Sequence, residues 1–155
     1  MRVIGVGNLL LSDEGIGIHV VRELERRQAL PGVELVDGGV AGAGLLGLIE
    51  GEKKVVLIDA VAAPLPPGTV LRLFPEDLRR GSAVKASLHD LNLADAIDLM
   101  RMRDTLPETL LLGIVPADIG SWSMELSAPL AGRFEEILEK VSGEISRFFG
   151  LHEKF

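Results

Sequence analysis

Short β-branched runs alternate with helical stretches along the chain, and this alternation restricts the fold more than any other feature. The runs fall at Arg2–Val6, Val33–Val36, Lys54–Ile58, Thr69–Phe74 and Leu110–Val115. Strands so nearly apolar throughout are buried on both faces, which predicts a largely parallel sheet covered by helices. Between the first two runs, Ser12 or Asp13 is placed to cap a helix whose apolar face is Ile16, Val20 and Leu24. A second helix is predicted over Ala43–Glu50. A third begins near Ser87, where Ser87-x-x-Asp90 is an acidic variant of a capping box, and runs to about Met102. The last is predicted as one continuous helix from about Pro129 to Phe149.

At 155 residues the chain is expected to be a single domain spanning 1–155. Its net charge of −7 argues against a nucleic-acid backbone or an anionic membrane as partner. Arg22, Arg26 and Arg27 share a predicted helix with Glu23 and Glu25, which reads as a solvated face. There is no cysteine, which excludes disulfides, thiolate metal sites and cysteine nucleophiles. Gly5, Gly7 and Asn8 interrupt the apolar start, so it does not read as a signal peptide, and no apolar run approaches a membrane span. A cytoplasmic protein is the expectation.

In parallel sheets, ligands bind where loops converge at the carboxyl ends of strands. The first strand leads through Gly7-Asn8 to Asp13-Glu14. The second ends in Asp37-Gly38-Gly39, and the third ends in Asp59. The loop before the third helix carries His89. Each has an ordinary structural reading: Asp13 and Glu14 as helix-start charges, Asp37 as a turn device, His89 as a structural histidine. Asp59 is less easily dismissed, because it follows VVLI in a segment expected to be buried, where a carboxylate needs a partner. One imidazole and two carboxylates from separate strand ends suit a divalent metal such as nickel, zinc, iron or manganese. His19 and His152 are assigned no role.

The rival chemistries fit less well. Gly42-x-Gly44-x-x-Gly47 matches a dinucleotide fingerprint literally, but the first glycine does not close the strand and Asp59, the acid at the next strand end, comes only 12 residues after Gly47. No GxSxG, P-loop or HExxH occurs. A nucleotide-binding module and a non-enzymatic metal carrier or sensor remain the alternatives to an enzyme.

The ordered motifs GVGNLLLSDEGIG, VDGGVAG, LIDAV with PGTV, SLHDLNLADA, LLLGIVPADI and LSAPL closely resemble the hydrogenase maturation proteases. The resemblance runs from Arg2 to the last helix. It implies a three-layer α/β/α sandwich with a twisted, mostly parallel sheet of about five strands. It also implies an endopeptidase that removes the C-terminal extension of a nickel-iron hydrogenase large-subunit precursor. Nickel would be supplied by that precursor as the recognition signal. The family's metal ligands map onto Glu14, Asp59 and His89. Asn8 and Asp13 would then support the ligands, with Asp13 capping the helix while Glu14 reaches the metal. Asp37, Gly38, Gly39 and Gly42 would form a neighbouring loop that receives the substrate tail.

Overall fold

The computed structural model describes residues 1–40, 44–78, 85–86 and 90–151. Among them are the strands β1 (Arg2–Gly5), β2 (Glu34–Asp37), β3 (Lys54–Ala62), β4 (Val70–Leu73), β5 (Lys85–Ala86) and β6 (Glu108–Ile114). The helices are α1 (Ile16–Arg26), α2 (Gly44–Ile49), α3 (Asp90–Met102), α4 (Ala128–Gly132) and α5 (Phe134–Phe149). The sheet runs β2-β1-β3-β6-β4, and β5 pairs with β3. Strands β2, β1, β3 and β6 are mutually parallel, while β4 is antiparallel to β6 and β5 to β3.

Period-two alternation along β3 builds two cores. Val56, Ile58 and Ala60 join one cluster, with Ile16, Val20 and Leu24 of α1, Leu130 of α4 and Ile137, Val141 and Ile145 of α5. Val55, Leu57 and Val61 join the other, with Leu45 and Ile49 of α2 and Ile97 and Met100 of α3. The result is the three-layer sandwich. Each fully buried Ile, Val or Leu contributes roughly 1.5–3 kcal/mol, so the four-residue spacing of α1 and α5 is what seats them on the sheet.

Four features differ from the sequence reading. β3 continues to Ala62, so Asp59 lies inside the strand, opposite Gly113 of β6, rather than at its end. The two-residue β5 is an additional strand. β4 reverses direction because the connection from β3, Ala63–Thr69, is too short for a parallel crossover, which needs roughly a dozen residues. The last helix is broken at Arg133, whose φ of −107° and ψ of 7° leave the helical region. Gly132 weakens the helix there, and the Arg133 guanidinium is tied to the carbonyl of Pro67 at 3.2 Å.

Candidate active site

The rim above β1 and β3 is assembled by backbone contacts that only glycine permits. A Cβ on Gly17 would lie 2.2 Å from the Ile58 carbonyl oxygen and 2.6 Å from that of Val6. One on Gly5 would lie 2.2 Å from the Gly17 carbonyl oxygen. The first turn of α1 therefore rests directly on the β1 and β3 backbones. Gly7, at φ +148°, leaves β1 with its α-carbon against the Glu14 carbonyl; a Cβ there would sit 2.0 Å from that oxygen.

Glu14 is held through its own main chain. Its carbonyl accepts the Asn8 N–H at 3.2 Å, and its N–H donates to the Leu11 carbonyl at 3.1 Å. The Asn8 side-chain oxygen accepts the Leu10 N–H at 2.9 Å, closing an Asx turn that shapes the loop. Asn8 thus supports Glu14 through loop geometry.

The tight turn Ser12–Gly15 carrying Glu14 packs against β3. Asp59 belongs to that strand, one residue beyond the Ile58 carbonyl that receives the Val6 N–H at 2.9 Å. Its Oδ1 accepts the Ala60 N–H at 2.8 Å. Both Glu14 and Asp59 are buried. Carboxylates withdrawn from water in this way need compensating partners, and their oxygens are of the donor type that suits a hard or borderline cation.

Asp13 behaves differently from the expectation of a helix cap. The Ser12–Gly15 turn and α1 have no side-chain cap hydrogen bond. The Asp13 carboxylate is fully buried and points instead to a distant loop. Its Oδ2 accepts the N–H groups of Ala117 and Asp118, both at 2.9 Å, and the Ser127 hydroxyl at 2.6 Å. Its Oδ1 accepts the Ser127 N–H at 2.8 Å. The reason is the turn geometry: with residues 12–15 in a 3-10 turn, the side chain faces the 117–127 segment, which offers four donors. The same segment is stitched on by Ser12 N–H to the Ser123 carbonyl at 2.8 Å and Ser123 N–H to the Leu10 carbonyl at 2.9 Å. Ser127 had no local signature marking it as part of this site.

The Asp37 carboxylate is engaged within the chain. Oδ2 receives the Arg22 guanidinium at 2.9 Å and Oδ1 the Gly39 N–H at 2.9 Å. Gly38 and Gly39 extend the pairing with β1, through Gly38 N–H to the Gly5 carbonyl and Gly7 N–H to the Gly39 carbonyl. They therefore border the same rim. Arg22 is exposed, as expected of a solvated face, and Arg26 and Arg27 pair there with Glu23, whose carboxyl they hold down at about 2. His89 and Gly42, the latter also the glycine fingerprint's first position, lie outside the described residues. Among the described residues no three His, Cys, Asp or Glu side chains gather closely enough to hold a metal. His19 is partly buried on α1, and its Nε2 has no hydrogen-bond partner. Burial, followed by the charge of Arg22, holds its pKa below the usual 6.5, while Asp13 pulls the other way.

This architecture is shared with known proteins. A family model for hydrogenase maturation protease matches residues 18–144, beginning just after the Glu14 turn. The chain is 37% identical to the hydrogenase 2 maturation protease of Escherichia coli K12 over 142 residues, 90% of this chain and 86% of that one. It is 32% identical to the hydrogenase expression/formation protein HupD of Thiocapsa roseopersicina over 149 residues, 94% and 67% of the two chains. The structure of the E. coli hydrogenase maturating endopeptidase HybD superposes with a TM-score of 0.79 at 31% identity, covering 94% of this chain and 91% of that one. A Thermococcus kodakarensis relative at 24% identity and a TM-score of 0.73 shares the fold, over 92% and 97% of the two chains. With the family model, the sequence relatives and the superposed fold in agreement, the chain belongs to the hydrogenase maturation protease family.

Proposed function

We propose that this protein is an endopeptidase that removes the C-terminal extension of a nickel-iron hydrogenase large-subunit precursor after nickel has been inserted. The observation that carries the reading is the pair of buried carboxylates, Glu14 and Asp59, brought to one rim by the packing of α1 on β1 and β3. Nickel is part of the substrate here, carried in by the precursor. Glu14 and Asp59 would offer it oxygen ligands, and His89 would add an imidazole. β5 supports this: Ala86, three residues before His89, pairs with Val61, two residues beyond Asp59. A small donor set leaves positions for groups of the precursor, so only a loaded precursor would complete the coordination.

The chain offers no cysteine and no serine in an elbow, so water is the nucleophile. Water adds to the scissile carbonyl carbon, the carbon–nitrogen bond breaks, and the proton from water ends on the departing amine. Nickel held at the rim would polarise that carbonyl and acidify water beside it. Glu14 and Asp59 position the bond by gripping the metal-bearing end of the precursor. A Cβ on Gly38 would meet Ile4 and Val6, so Gly38 lets the loop pack on β1, while Gly39, with open space where a side chain would stand, would leave the rim accessible to an extended tail. Gly42 would lengthen the same loop. A cytoplasmic location fits a substrate processed during assembly, and no helix among the described residues is long and apolar enough to cross a membrane.

The test is intact mass spectrometry of a nickel-loaded precursor before and after incubation with this protein. Loss of a defined C-terminal peptide that requires nickel and is abolished by Glu14→Gln is expected. Nickel-independent release of the peptide would overturn the checkpoint role. If nickel binds the protein but no precursor is ever shortened, a carrier replaces the protease.

A further inference from the structure

The segment that Asp13 holds exposes apolar side chains beside the Glu14 turn. Trp122 is 80% exposed, Met124 64%, Leu10 49% and Ile119 40%. Trp122 is the chain's one tryptophan. Leu11 and Ser123 form a parallel bridge, so Leu10 and Trp122 are neighbours, and Met124 lies one residue beyond the bridge on the same exposed segment. Scattered exposed hydrophobics need no explanation, but a contiguous group anchored to a candidate active site marks an interaction surface.

The surface is rigid. The Asp118 side chain accepts the N–H groups of Gly120 and Ser121, both at 3.0 Å, and the Ser123 hydroxyl accepts the Glu125 N–H at 3.1 Å. The four bonds to Asp13 fix its base. It is also acidic: Asp118 and Glu125 flank Trp122, and no Lys or Arg occurs between Arg103 and Arg133. A preordered surface loses little entropy on binding, and its charge selects a basic partner.

We propose that Leu10, Trp122 and Met124 form the docking surface for an apolar segment of the protein substrate that carries Lys or Arg at its edges. Asp13 keeps this surface in register with Glu14. The occupant is the substrate because the patch is continuous with the candidate active site: Leu10 lies in the turn closed by the Leu11 N–H on the Asn8 carbonyl, and the next turn, closed by the Glu14 N–H on the Leu11 carbonyl, carries Glu14. The inference rests on the proteolytic reading above.

Two measurements on the full-length protein test it. In precursor processing, Trp122→Ala should raise KM by about tenfold or more with kcat within about twofold, as expected for a tryptophan anchor. The effect should shrink with added salt for Asp118→Asn and Glu125→Gln, which remove the flanking charge. Trp122 is exposed, so circular dichroism should show the fold intact. In the second measurement, 5-fluorotryptophan is incorporated and its single fluorine resonance followed while unlabelled precursor is added to the Glu14→Gln variant. A saturable shift is expected.

Normal KM for Trp122→Ala and an unmoved resonance, with the precursor still cut by the wild-type protein, would overturn the docking surface and leave the protease standing. A saturable shift without cleavage by wild type would keep the surface and remove the protease. Neither shift nor cleavage would overturn both. A resonance that moves only with the concentration of this protein would assign the patch to a second copy and overturn the proposal.

Discussion

Replacing Asp13 with asparagine changes one oxygen to an amide nitrogen, and the hydrogen bonds of this side chain make that change costly. The wild-type carboxylate accepts four donors: three at Oδ2 and one at Oδ1. Asparagine has one acceptor oxygen, and its best orientation keeps that oxygen where Oδ2 was. The amide NH2 then faces the Ser127 N–H across the former 2.8 Å bond, donor against donor. A buried donor left unsatisfied costs about 1–3 kcal/mol. The three surviving bonds also lose their charge assistance, and such bonds are roughly twice as strong as neutral ones. Together these place the loss near 3 kcal/mol, with about 2 kcal/mol as the lower edge.

Urea unfolding of the two proteins at pH 7, extrapolated to water, measures the difference. A helix-capping role predicts almost none, because Asn caps as well as Asp. A loss below about 1 kcal/mol would refute the loop-holding assignment and restore the cap. Ser127→Ala provides the control. It removes only the 2.6 Å hydroxyl bond, leaves three donors on the carboxylate, and is expected to cost about 1 kcal/mol.

Gly17→Ala should destabilise by about 3 kcal/mol or more although alanine is the better helix former, because the new Cβ meets the Ile58 and Val6 carbonyl oxygens; thermal unfolding at or above the wild-type midpoint would contradict the packing. Glu14→Gln and Asp59→Asn should each abolish precursor processing while retaining the wild-type circular dichroism spectrum, and a variant processing at the normal rate would remove its residue from the site. Burial holds the His19 pKa below 6.5, so the unfolded chain binds the proton more readily than the folded one. Stability should therefore be fully present above pH 6.5 and decline as pH falls below it. His19→Gln should flatten that decline below about pH 6.5, read by urea midpoints, and an unchanged slope would place the titration elsewhere.

The layers of the fold were legible because their signals are local. Val55 to Ile58 reads as a strand from β-branching alone, and Ile16, Val20 and Leu24 as one helix face from spacing alone, since burial on a sheet requires those periods. Glu14 and Asp59 could be placed near one rim because parallel strands carry their connections at a common end. Strand direction was not local: β4 reverses because its connection is short, and only its partner, β6, shows the result. The contact of the Arg133 guanidinium with the Pro67 carbonyl at the helix break is likewise invisible locally, because Pro67 lies far away in the chain.

Asp13 marks the boundary most sharply. By sequence, an aspartate at a helix start is a cap, and the residues beside it say nothing else. Its actual partners, at Ala117, Asp118 and Ser127, lie 104 to 114 positions away. Which of two neighbouring acids holds a loop depends on where four distant donors arrive. Composition and periodicity determine what will be buried and in what kind of element. The tertiary structure decides which buried polar groups meet, because a hydrogen bond needs its donor within about 3 Å, and only the packed chain supplies that proximity.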